Sequence, residues 1–293
     1  DRGAFLRSVQ TLSPTVFLAC AAMYTLGYLI STLRWQRLLS VEGLRIPFWR
    51  LTLVYFEAAF FNLFLPTLIG GDIVRGYTIY RMTQGQDASI ASILVDRLTG
   101  FAALVAIALV SLVAAYRIIR DPQVAVMILG VALVFASALA VLLNTRIMGW
   151  ATRALTVLGL RRFQSRLEGF VEAVHRYRQH RPALRQALLL SVLLQVLIIV
   201  AYYLVGVSLH LHVSIVYFFL FVPLITVVAM LPVSVAGLGV REGGVIYFFA
   251  KAGVDPAVAL SMSLVWFSLA LFVSSLGGLA FLLDTHAEKR LSP

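Results

Sequence analysis

Seven apolar stretches organise the chain: 15–33, 51–69, 98–116, 124–143, 187–211, 213–236 and 257–283. Each approaches the roughly 20 apolar residues that carry a helix across a bilayer, and none is low-complexity. Two of them are interrupted. The second holds Glu57 and Asn62 and breaks at Pro66, Gly70 and Gly71, before a short limb through Arg75 and Arg81. The sixth breaks at Pro232, Gly237 and Gly239, before a limb through Arg241, Glu242 and Lys251. Breaks of this kind predict re-entrant hairpins, because irregular backbone at membrane depth is tolerated only where protein or a wet cavity surrounds it.

Polar positions between the stretches support the same division. The stretch 34–50 carries four arginines against Glu42, and 145–185 carries nine against Glu168 and Glu172. Phe163, Leu167, Phe170, Val171 and Val174 recur at near-helical spacing in the second, which reads as a basic amphipathic helix on the cytoplasmic membrane surface. If all seven stretches crossed, three crossings would separate these basic segments and put them on opposite sides. Basic loops collect inside, so one intervening stretch must turn back, and 51–69 is the one with breaks. The same treatment of 213–236 returns Lys289 and Arg290 to the inside and leaves the N-terminus outside. The competing arrangement makes both hairpins full spans and places the basic linker outside.

The two breaks resemble each other. Leu65-Pro66-x4-Gly71-x2-Val74-Arg75 and Leu231-Pro232-x4-Gly237-x2-Val240-Arg241 share one pattern at an offset of 166, and Gly85-x-Asp87-x3-Ala91 returns as Gly253-x-Asp255-x3-Ala259. The chain is therefore predicted to be an all-α integral membrane protein, a polytopic helical bundle of inverted repeats with two re-entrant broken-helix hairpins. It forms one membrane domain over residues 1–293. The first repeat covers about 14–116, the second about 184–283, and the basic linker 145–185. Inverted repeats with broken helices are the build of secondary transporters, whose site lies at the repeat interface.

Composition narrows the function classes. The 293 residues are 61% hydrophobic and 13% charged, with a mean hydropathy of +0.93, which excludes a soluble enzyme and a disordered chain. The net charge of +11 suits loops facing anionic lipid and calls for no nucleic acid. Cys20 is the single cysteine and the histidines number five, so no intramolecular disulfide and no metal site are expected. No zinc-protease, nucleophile-elbow or Walker A pattern occurs, and no cofactor or enzymatic activity is predicted. The chain opens at Asp1 without Met, which suggests a missing upstream segment.

Charges inside apolar stretches are costly and usually face a cavity or a partner. The candidate substrate-binding residues are Arg75, Arg241, Asp72, Glu242, Asp96, Arg97, Asn62 and Glu57. Arg75 and Arg241 each follow a break and fall early in a return helix, where unpaired N–H groups and a guanidinium suit phosphate. The alternative is purely structural: Arg75 neutralised by Asp72 or Asp96, and Arg241 by Glu242 or Glu57. Asp96 and Arg97 fall near the end of a span and are equally readable as interfacial. Trp35, Trp49 and Trp150 flank spans as belt aromatics.

At these positions the chain resembles a known family, the flippase-like membrane domain of lysylphosphatidylglycerol synthase/flippase proteins and its stand-alone members. The matching landmarks are Arg34-Trp35-x2-Leu38-Leu39, Asn62-x3-Pro66-x3-Gly70-Gly71-Asp72-x2-Arg75, Asp96-Arg97-x2-Gly100 and Pro232-x-Ser234-x2-Gly237-x-Gly239-x-Arg241-Glu242. The resemblance implies lipid translocation or lipid binding in a bacterial cytoplasmic membrane. The substrate it implies is an anionic or aminoacylated phospholipid or a polyprenyl-linked glycan. Two-domain relatives carry their transferase in a separate C-terminal domain, so that activity is not expected here. A homo-oligomer, a lipid-modifying enzyme partner and a proton-coupled solute transporter stay open.

Overall fold

A computed structural model describes residues 13–64, 70–83, 88–115, 121–144, 146–150, 153, 172, 176–230 and 237–291. The proline breaks at Pro66 and Pro232 and most of the basic linker lie outside the described residues. Nine helices follow one another among them: α1 (Pro14–Val41), α2 (Phe48–Asn62), α3 (Gly70–Met82), α4 (Ala88–Ala115), α5 (Pro122–Leu143), α6 (Arg181–Ser208), α7 (Ile215–Ala229), α8 (Val240–Ala250) and α9 (Pro256–Leu291).

Local chemistry sets the ends. Pro14 opens α1, and Gly43, at φ 78°, closes it while the Leu44 amide returns to the Leu39 carbonyl. That is the left-handed stop that glycine permits at lowest cost. Gly253 repeats the device after α8, with Val254 donating to Phe249. The Asp121 and Ser214 side chains accept from the second amides of α5 and α7.

Helices α1, α4, α5, α6 and the 256–278 part of α9 are long and apolar enough to cross a membrane. The protein is an integral membrane protein with a polytopic helical fold. Helices α2, α3, α7 and α8 have 15, 13, 15 and 11 residues, about 16–23 Å at 1.5 Å per residue. A hydrocarbon core is roughly 30 Å thick, so none of the four crosses it alone.

Helix lengths and spacing match between the two halves of the described chain. Helices α1 and α6 both have 28 residues, and α2 and α7 both have 15; their first residues lie 167 positions apart in each case. Contacts follow the same exchange. Helix α1 lies along α6; α2 pairs with α3 as α7 pairs with α8; α2 rests on α9 as α7 rests on α4. The remaining neighbours map onto each other too: α1–α2 onto α6–α7, α3–α4 onto α8–α9, α1–α4 onto α6–α9, and α4–α6 onto α9–α1. Helix α5 stands outside this scheme. It packs mainly on α4 and is otherwise almost wholly exposed.

Several boundaries differ from the sequence reading. Helix α1 continues eight residues past 33, so Arg34 and Trp35 sit inside it. Trp35 is therefore no belt aromatic: it is 0% exposed and donates through Nε1 to Ser92 at 3.0 Å. Trp49 and Trp150 are exposed, as belt residues are. Helix α4 starts ten residues before 98, which draws Asp96 and Arg97 into the bundle rather than leaving them at its edge.

An ion pair holds α8 to α5. Lys251 Nζ lies 2.6 Å from Asp121 and 2.8 Å from Gln123. The ammonium holds the Asp121 carboxyl below the usual carboxylate range, and the carboxylate raises Lys251 above the usual lysine range. A lowered carboxylate stabilises above its unfolded value and loses that contribution as pH falls through the folded one. Asp121→Asn should therefore lower the thermal midpoint slightly at neutral pH, and the difference should vanish on acidification below the normal aspartate range. A difference that persists in acid would show that charge is not what Asp121 contributes.

Candidate functional site

The first hairpin closes on glycine. A Cβ at Gly71 would stand 2.6 Å from the Ala58 carbonyl oxygen, so only glycine lets α3 start this close to α2. The Asn62 side chain accepts from the Gly71 amide at 2.6 Å. In the second hairpin, Gly239, at φ 82°, precedes α8, and its amide donates to Glu242 Oε2 at 2.6 Å. One amide at each return helix is thus already satisfied by the protein itself.

Behind Gly71 lies a buried charge network. Asp96, 1% exposed on α4, takes Arg34 Nε on one oxygen at 2.6 Å, and Arg75 Nη2 and the Tyr55 hydroxyl on the other at 3.0 Å each. Arg75 continues to Asp72 Oδ1 at 3.1 Å, and Asp72 Oδ2 takes Arg97 Nε at 2.5 Å. The Arg75 guanidinium lies 4.1 Å from the ring centres of both Trp35 and Tyr55, a cation held between two aromatic faces. Its Nε is buried without a partner. Arg34 also donates to Ser191 at 2.8 Å, which ties α1 to α6. Three arginines and two aspartates make up the network.

The second hairpin carries a smaller version. Arg241 reaches Glu242 Oε1 through Nη2 at 2.6 Å, and Ser263 lies 3.3 Å from Arg241 Nε and 3.1 Å from that oxygen. Ser263 stands 167 positions after Asp96. The second repeat therefore has a hydroxyl where the first has a carboxylate, and the counter-charge has moved to the residue beside the arginine. Glu57 is buried on α2.

Two cavities open between the repeats. The smaller, about 250 Å³, is lined by the Asp96 network together with Asn62, Gly100 and Gln195. The larger, about 360 Å³, lies between Arg97 and Arg241, with Tyr28, Gln195, Tyr202 and Trp266 on its wall. They share Tyr28, Ser31, Asn62, Arg97 and Gln195. The Arg97 side chain is 37% exposed and that of Arg241 12%. A third hollow, an apolar groove of about 420 Å³, runs along the outside of α3 past Ile73, Tyr77 and Tyr80, and shares Asp72 with the wall of the smaller cavity. Among the described residues no cluster of metal-binding side chains occurs.

The profile of the lysylphosphatidylglycerol synthase TM region matches residues 1–278. The chain belongs to this family. Neither a curated protein nor a solved structure gives a match. In this lysylphosphatidylglycerol synthase TM region the predicted residues Asp72, Arg75, Asp96, Arg97 and Asn62 come together at one cavity, and Arg241 lines the neighbouring one. Of the predicted breaks, Gly70 and Gly71 open α3, while Gly237 and Gly239 lead into α8.

Sequence reasoning did not assign Arg34, Tyr55, Ser191, Tyr202 or Ser263 to the site of this family member. Arg34 was readable: Leu38 and Leu39 fall four and five positions after Arg34, and Leu33 lies one before it, so the helical period runs on past the first charge. Ser263 was readable from the repeat offset. Tyr55 and Ser191 carried no local signal, because what selects them is the rotation of α2 and α6 about their axes.

Proposed function

We propose that the chain is a lipid translocator without enzymatic activity, moving a headgroup between leaflets through the cavities between its two repeats. The observation that carries this reading is an apolar groove and a cationic cavity that share Asp72 in their walls. A groove on the outer face of α3 suits an acyl chain, and the adjoining arginines suit a phosphate. A small solute has no use for the groove, which favours the lipid reading over the solute transporter. The membrane is the bacterial cytoplasmic one, and the substrate class is an anionic or aminoacylated phospholipid or a lipid-linked sugar.

In this reading α2/α3 and α7/α8 are re-entrant hairpins entering from opposite faces. The exchange symmetry of the helix contacts and the four sub-span helix lengths support it. Two crossings per repeat start and end on one side, and the single added crossing of α5 inverts the second copy. Arg97 and Arg241 then hold the headgroup from opposite repeats. Arg75 is the deeper member, reaching the smaller cavity while Asp72 and Asp96 fix its position.

Reconstituted vesicles test this. Arg97→Ala and Arg241→Ala should each slow dithionite-detected movement of acyl-labelled lipid roughly tenfold or more, the loss expected of a charge-assisted contact. The Arg97 side chain is more than a third exposed, so Arg97→Ala should elute as wild type does on size exclusion. The Arg241 side chain is 12% exposed and faces Glu242, so Arg241→Ala is read on the fraction that elutes as wild type does. Wild-type rates in both would defeat the assignment.

A further inference from the structure

Two buried polar side chains at the junction of the cavities have no bond to the protein. Ser31 on α1 and Gln195 on α6 are each 7% exposed, and each lines both the smaller and the larger cavity. Neither side chain makes a hydrogen bond among the described residues. Nearby hydroxyls behave otherwise: Thr32 donates to the Tyr28 carbonyl and Ser191 to the Ala187 carbonyl, each one turn back along its helix. Asn62 lines both cavities as well. Its Oδ1 accepts from the Gly71 amide, and its Nδ2 has no acceptor among the described residues.

Burying a carboxamide without a partner costs free energy, and native interiors leave few such groups. An apolar side chain of the same size would line α6 without that cost. Gln195 stands 167 positions after Tyr28, the spacing of α6 from α1. Tyr28 also lines both cavities, but its hydroxyl is paired with Ser274 at 3.3 Å. Arg97 lines both cavities beside these groups, and Arg241 lines the larger. Guanidinium groups suit a phosphate. A carboxamide and a hydroxyl each donate and accept, and a ligand hydroxyl, which also does both, satisfies either.

We propose that Ser31 and Gln195, with Asn62 Nδ2, form a subsite for the hydroxyls of a polyol esterified to the lipid phosphate, a glycerol or a sugar. The inference rests on the translocation reading and narrows its substrate class to headgroups that carry hydroxyls. Phosphatidylglycerol, its aminoacyl esters and lipid-linked sugars all keep at least one. Ser31 belongs to the first half of the chain and Gln195 to the second, so the polyol bridges the halves while the arginines hold its phosphate. A site built to bond a hydroxyl discriminates against the analogue that lacks it, because the site's own polar groups are then left unpaired.

Phosphatidylpropanol is the comparison lipid. It has the carbon skeleton and the phosphodiester charge of phosphatidylglycerol and lacks both headgroup hydroxyls. Purified protein is placed in phosphatidylcholine vesicles carrying a trace of either lipid, acyl-labelled. Phosphatidylglycerol should become accessible to dithionite roughly tenfold faster than phosphatidylpropanol, in line with two neutral hydrogen bonds. Gln195→Leu and Ser31→Ala should each bring the two rates closer. Neither removes a bond within the protein, so both unfolding midpoints should stay at or above that of wild type. Equal rates in wild type would overturn the subsite and leave translocation standing. A preference unchanged in both variants, or lost only together with the fold, would overturn the assignment to Ser31 and Gln195. Movement of neither lipid would overturn the translocation reading and this inference with it. Uptake of labelled glycerol 3-phosphate by those same vesicles would then assign the site to a soluble polyol phosphate.

Discussion

Asp96→Asn should lower the unfolding midpoint more than any other single change at the site. The substitution keeps the shape of the side chain and removes the negative charge that faces Arg34 and Arg75, both nearly excluded from solvent. Breaking a buried pair by neutralising one member costs about 3–5 kcal/mol, because the other charge stays buried without compensation. Here two cations lose their shared partner, and Asp72 compensates only Arg75. Asp72→Asn is expected to be milder, since its second partner, Arg97, is more than a third exposed and water can replace the lost bond. Thermal unfolding of the detergent-purified proteins checks this order: Asp96→Asn below Asp72→Asn, and both below wild type. Equal midpoints for Asp96→Asn and wild type would mean that the network carries no stability.

Gly277→Leu should be the next most damaging change. A Cβ at this position would run into the Phe56 backbone carbonyl, where α9 crosses α2. Helices in membranes associate through such close approaches of small residues, and a backbone carbonyl cannot rotate out of the way. Overpacking costs typically ~1–3 kcal/mol where side chains can relax, so this site falls at the upper end of that range. Gly278 gives an internal comparison. Its Cβ would meet the Phe60 ring at 2.7 Å, and a ring can swing aside. Gly277→Leu should therefore lower the unfolding midpoint clearly more than Gly278→Ala. Because α2 is the first limb of the hairpin, it should also slow lipid movement in vesicles. An unaffected Gly277→Leu would mean that the crossing is looser than this contact requires.

Much of this architecture was written in local patterns. Apolar stretches located the five long helices, and Gly70, Gly71, Gly237 and Gly239 fall where α3 and α8 begin, because those features act within a few residues of themselves. The shared Leu-Pro-x4-Gly-x2-Val-Arg pattern follows helices of equal length, α1 with α6 and α2 with α7, and leads into α3 and α8, which have 13 and 11 residues. Partnerships were less legible. The sequence offered Asp72 and Asp96 as rivals for Arg75, and the fold uses both. It left Arg34 in a loop, because a charge after an apolar run reads as an exit from the membrane. Arg34 and Asp96 are 62 positions apart, and only the packing of α1 against α4 brings them together. Trp35 was misplaced for the same reason: a tryptophan near a span end belongs to the interface unless a cation needs its face.

The near-absence of partners around α5 leaves few physical constraints on its sequence. Its neighbours are constrained by glycines that admit a backbone, by charges that must meet, and by rings that cover them. In the proposed topology α5 is constrained by arithmetic: a duplicated unit with an even number of crossings can face its twin only if one more crossing intervenes. Length and apolarity satisfy that condition, and very many sequences possess both. In that topology almost any membrane-spanning segment between two parallel copies suffices to make the pair antiparallel, and the clasp from Lys251 to Asp121 ties this one to α8.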